Sequence, residues 1–109
     1  MLLKAVVSLS LTFSAMASFA DWQFDLKVTR IVVVETGGIN YRFEPPLSGC
    51  TSQSNYGTNY ASLYPDHKGF NSIHANLLAA YMSDKIVSIY LTDATCKIGE
   101  TVLGGRHYD

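Results

Sequence analysis

No run of basic residues, no internal repeat and no apolar stretch of the ~20 residues that a membrane helix needs occurs in this 109-residue chain. Each absence removes a class of function. Lys27, Arg30, Arg42, Lys68, Lys85, Lys97 and Arg106 are scattered, whereas gripping a phosphate backbone takes clustered positive charge. Nucleic acid is therefore not an expected partner. Cysteine is scarce as well: Cys50 and Cys96 are the two in the chain, in no C-x-x-C pair and with no histidine within a few residues. That spacing argues against a metal centre and against an activated thiol. There is also no G-x-S-x-G elbow and no paired-carboxylate signature, so neither a catalytic residue nor a cofactor is expected.

What is present begins with residues 1–20. Lys4 precedes a short apolar run, Ala5 to Phe13, and Ser18-Phe19-Ala20 places small residues where a signal peptidase reads them, just before Asp21. Ser8, Ser10, Thr12 and Ser14 make the segment a poor membrane anchor. The expected layout is a signal peptide over 1–20 and one small domain over 21–109, exported to the periplasm or secreted by a bacterial cell, with no membrane span after cleavage. Loss of Lys4 makes the formal net charge of −1 one unit more negative, because no acidic residue lies among 1–20. In an oxidising compartment a lone cysteine pair is by default a disulfide. Closing the loop between Cys50 and Cys96 would remove about 4 kcal/mol of unfolded-state entropy in the simple chain picture.

Val- and Ile-rich Leu26 to Thr36 ends at Gly37-Gly38, and Ile39 to Glu44 then alternates until Pro45-Pro46 stops it. This is a hairpin. Its first strand alternates imperfectly, with Arg30 among the valines, which a bulge near Arg30 or burial on both faces would explain. Leu47 to Tyr60 is a polar loop carrying Cys50, and Ala61 to Tyr64 a short third strand. A helix from about His67 to Ser83, capped by Asp66, carries an apolar stripe of Phe70, Ile73, Leu77 and Tyr81, flanked by His74 and Leu78. Ile86 to Leu91 and Ile98 to Leu103 supply two more strands, with Cys96 in the turn between them.

The order of elements predicts an α+β, mainly β fold: an OB-fold-like five-stranded small barrel with one helix between strands 3 and 4. A mixed sheet with the helix across one face is the alternative. Tyr64-Pro65-Asp66-His67 through Asn76-Leu77-Leu78-Ala79-Ala80, then Lys85-Ile86-Val87 and a second cysteine, resembles small exported bacterial proteins and, more distantly, the receptor-binding B subunits of subtilase-type and pertussis-like AB5 toxins. That resemblance implies an OB-fold subunit that forms a ring and binds glycans. The chain departs from it in having a single cysteine pair and a shorter length.

Three histidines could carry chemistry, His67, His74 and His107, but none has a partner at ligand spacing. Glu35 and Glu44 could face each other across the hairpin, and would there keep an edge soluble. The richest candidate is the polar loop. Ser52, Gln53, Asn55, Tyr56, Asn59 and Tyr60 combine stiff aromatic faces with adaptable hydrogen-bonding groups, a chemistry suited to sugars. Tyr41 and Arg42 could extend it. The expectation is a non-enzymatic exported binding module for a polar surface ligand such as a glycan on a cell-surface receptor, self-associating as a homo-oligomer. The alternative is a periplasmic or envelope structural or protein-interaction domain without sugar binding.

Overall fold

The computed structural model describes residues 21–104; the expected signal peptide and His107 lie outside the described residues. Strands β1 (Asp21–Val33), β2 (Ile39–Glu44) and β3 (Tyr60–Leu63), helix α1 (Phe70–Ser83), then β4 (Val87–Leu91) and β5 (Ile98–Leu103) follow in that order. The strands form one sheet ordered β3-β2-β1-β4-β5, and every ladder in it is antiparallel.

β1 organises the sheet because it pairs twice. Asp21 to Leu26 lie against β4, and Lys27 to Val33 lie against β2. Two irregularities let one strand serve both ladders. The expected bulge near Arg30 occurs, as a register shift between Val28 and Arg30. A second shift lies between Gln23 and Leu26, where Asp25 takes a left-handed φ of 58°. Bulges bend and twist the strand that carries them.

β1 starts five residues before the expected Leu26. Along Asp21–Val33 the inward positions include Gln23, while Trp22 and Phe24 are only half-buried, so the apolar-in, polar-out pattern is inverted over its first residues. The turn after β1 is as expected: Gly37, at φ 92°, donates its N–H to Val34 O at 2.9 Å, and Val34 N–H donates to Gly38 O at 2.9 Å.

The core lies between the sheet and α1. Ile73, Leu77 and Ala80 are the buried residues of the helix, at the spacing that stacks one face, and they meet Tyr41, Phe43, Leu63, Ile89 and Leu91. Tyr81, expected on that stripe, is 45 % exposed, as the i, i+4, i+7 face runs through Ala80 instead. Each fully buried large aliphatic chain stabilises by about 1.5–3 kcal/mol.

The helix starts at Phe70 rather than His67, and Asp66 does not cap it. Gly69 holds the cap position without a side-chain hydrogen bond. His67 substitutes: its Nδ1 accepts the Gly69 N–H at 2.8 Å. At the other end Asp84, at φ 56°, closes the helix in the left-handed conformation.

The sheet is not closed into the expected barrel. β3 meets the residue just before β5 at an isolated parallel bridge between Ser62 and Lys97, where Ser62 N–H donates to Cys96 O at 2.9 Å. β3 is four residues long and runs out at Tyr64-Pro65, where proline supplies no N–H to continue a ladder. No helix among the described residues is long and apolar enough to cross a membrane.

Candidate functional site

That single bridge brings two short segments together. Tyr64-Pro65-Asp66 leaves β3, and the turn from Asp93 to Lys97 joins β4 to β5. Between them lies an open depression of about 600 Å³ lined by Tyr64, Pro65, Asp66, Asp93, Thr95 and Lys97, a volume in the range of small-molecule sites. A second, more enclosed depression of about 160 Å³ adjoins it, with Thr36, Asn40, Gln53 and Ser62 among its polar lining. Tyr64 and Pro65 line both, so a ridge carrying an aromatic ring separates two concave subsites.

The turn is built to hold its shape. Asp93 Oδ1 accepts the Thr95 N–H at 2.9 Å and the Thr95 hydroxyl, the Asx-turn geometry that such residues favour. These hydrogen bonds, and then the Lys97 charge, hold the Asp93 carboxyl below the usual carboxylate range. Thr92 N–H donates to Lys97 O at 2.9 Å across the turn. Lys97 Nζ stands 5.7 Å from the Tyr64 ring centroid, within cation–π range. Gly99 follows; a Cβ there would collide with Thr92 Cγ2.

The expected disulfide between Cys50 and Cys96 is present, and it fastens the polar loop to this turn. Thr51 N–H donates to Ala94 O at 2.7 Å beside it. Upstream, the buried Gln23 side chain grips the Ser48 backbone: its Nε2 donates to Ser48 O at 3.0 Å and its Oε1 accepts the Ser48 N–H at 3.2 Å.

Of the loop residues expected to bind, Gln53 reaches the second depression. Its Nε2 donates to Thr51 O at 3.0 Å. Ser52 Oγ accepts the Ser54 N–H at 3.1 Å, which shapes the loop. Asn55 and Tyr56 are exposed, Asn59 is half-buried, and Asn59 O accepts the Phe43 N–H at 2.9 Å. Tyr60 is 2 % exposed, its hydroxyl accepting from Arg30 Nη1 at 3.3 Å and its ring 6.0 Å from that of Tyr56. It therefore offers a ligand almost no surface and serves as the base on which Tyr56 rests.

Two of the histidines, His67 and His74, are each held by hydrogen bonds within the fold. His67 is half-buried; its Nε2 donates to Gly99 O at 2.9 Å while Nδ1 accepts from Gly69, so one imidazole spans from the helix start to β5. His74 Nδ1 and the Tyr41 hydroxyl share a hydrogen bond of 2.8 Å. Tyr41 is wholly buried, which removes it from any ligand surface, and desolvation pushes its phenol well above the ordinary value. Glu44 sits opposite Lys27 and pairs with Arg42 at 2.6 Å, so it does not face Glu35. Among the described residues no group of three or more His, Cys, Asp or Glu could hold a metal ion.

Sequence reasoning missed Tyr64, Pro65, Asp66, Asp93, Thr95 and Lys97. Tyr64-Pro65-Asp66 and Asp93-x-Thr95 were legible as turns, but their meeting depends on a strand contact that no local pattern encodes. No protein family, curated protein or solved structure matches the chain, and nothing in those comparisons links it to toxin B subunits.

Proposed function

We propose that the protein is a non-enzymatic binding module that recognises a polyhydroxylated ligand of the glycan class across the Tyr64-Pro65 ridge. The observation that carries this reading is the sharing of one tyrosine and one proline by two adjoining depressions. Sugar C–H faces pack on aromatic and proline rings, and sugar hydroxyls bond to the carboxylates, amides and hydroxyls around them. Gln53 brings the polar loop into the site, and Ser52, Asn55, Tyr56 and Asn59 belong to that same loop. No cofactor takes part. The strand order and the helix between β3 and β4 support an OB-like architecture left open at one seam.

The same reading makes the chain an exported bacterial protein, periplasmic or secreted, cleaved after Ala20. The Lys4 to Ala20 pattern and the disulfide support this. A glycan array probed with the mature protein tests the binding activity. Binding that Tyr64→Ala and Gln53→Ala each weaken at least about tenfold is expected; no bound glycan, or binding that neither variant alters, would reject it.

A second reading, an envelope protein-interaction domain, is favoured by one helix face. Leu78, Tyr81 and Met82, spaced three and four residues apart, are all exposed, and a contiguous exposed apolar patch marks an association surface. Sedimentation of the mature protein separates the cases: a ring or other homo-oligomer that still binds sugar keeps the first reading, and a stable complex with one envelope protein and no sugar binding supports the second.

A further inference from the structure

We infer that the ridge of Tyr64 and Pro65 selects neutral glycans over acidic ones, and that the charges around the first depression exclude acidic sugars. This rests on the glycan reading above and narrows it.

The first depression carries two carboxylates, Asp66 and Asp93, against one ammonium, Lys97. An anionic sugar entering it meets a lining with a net negative charge. Asp93 is held ionised by the donors of Thr95, so it does not relieve that repulsion by taking up a proton. Lys97 does not reverse the balance, because it stands over the Tyr64 ring at 5.7 Å and beside Asp93.

A cationic sugar meets no such repulsion in the first depression, because the same two carboxylates attract it. The second depression offers neither sign any compensation, since none of the side chains that line it is charged. A charge placed there would lose hydration without gaining a partner. A neutral polyol has no such cost. Its paired hydroxyls can donate to Asp66 and Asp93, where hydrogen bonds to an ionised acceptor are the stronger kind, and its other hydroxyls can use the amides and hydroxyls beside Gln53.

Titration calorimetry of the full mature protein against lactose and maltotriose as neutral probes and sialyllactose as an acidic one tests the inference, with a glycan array for wider coverage. Preference for neutral over acidic probes is expected. Asp66→Asn and Asp93→Asn should each weaken neutral binding about tenfold, and the double variant should move the acidic-to-neutral preference about tenfold toward acidic probes. Asparagine keeps an oxygen that can accept from Thr95, and an unchanged melting temperature confirms that the turn survives. Acidic glycans bound as well as neutral ones, or no shift in preference with the double variant, would overturn the inference and leave the glycan reading standing. No glycan bound in either assay would overturn both.

Discussion

Tyr41 and His74 join the sheet to the helix through one part-buried hydrogen bond of 2.8 Å between the phenol oxygen and Nδ1. Tyr41→Phe keeps the ring and deletes the bond. The expected loss is about 1 kcal/mol, the usual net worth of such a bond plus part of the cost of stranding the imidazole nitrogen. Urea denaturation followed by circular dichroism measures it.

The same tyrosine predicts an alkaline limit. Burial raises its folded-state pKa above the ordinary value of 10.0, so above that pH the unfolded chain releases a proton that the folded one retains. The stabilisation is complete below about pH 10 and falls away above it, by up to about 1.4 kcal/mol per pH unit from this group. In stability curves measured between pH 8 and 11.5, Tyr41→Phe should lose less on the alkaline side than the parent protein does.

Gly99 is fixed by Thr92, whose Cγ2 occupies the place of a glycine-to-alanine Cβ. Gly99→Ala should cost about 1–3 kcal/mol as an overpacked site. Adding Thr92→Ser removes the colliding methyl and should restore most of it; equal stability of the single and double variants would show that the collision is not the cause.

Breaking the Cys50–Cys96 bridge should act on stability and on binding together. The double Cys→Ser variant is expected to lose about 2–4 kcal/mol, and because the bridge docks the Gln53 loop against the Asp93 to Lys97 turn, glycan affinity should fall even where the variant remains folded. Mass analysis of the exported protein without reductant should find Asp21 first and no free thiol.

His67→Ala should cost about 1–2 kcal/mol, since it deletes acceptance from Gly69 and donation to Gly99 at once. Hydrogen exchange localises the effect: Gly69 and the first turn of α1 should lose protection ahead of the rest.

Much of the fold was legible in local pattern. Ile39 to Glu44 alternates cleanly, Ile98 to Leu103 stands between the Cys96 turn and Gly104-Gly105, and both strands have those bounds. The start of β1 was hidden because Trp22 and Phe24 stay half-buried while Gln23 points inward, its amide satisfied by a residue 25 positions away. The late start of α1 had a local sign in Gly69, yet the residue that compensates, His67, is positioned by Gly99 in another strand. The disulfide followed from compartment and cysteine count. The site was harder to read: Gln53 reaches it, Tyr60 is buried beneath Tyr56, and the ridge with its charged wall exists only because Ser62 meets Lys97 across the open seam.

β1 belongs to both ladders, and so it partitions the opening motions of the protein. Amides of 21–26 owe their protection to β4 and those of 27–33 to β2, with the bulges as the boundary. If β4 and β5 detach as a unit, the first group exchanges while the second does not, and release of β2 and β3 gives the reverse. One strand can thus report two separate cooperative events, and the exchange profile along it would show which half of the sheet yields first.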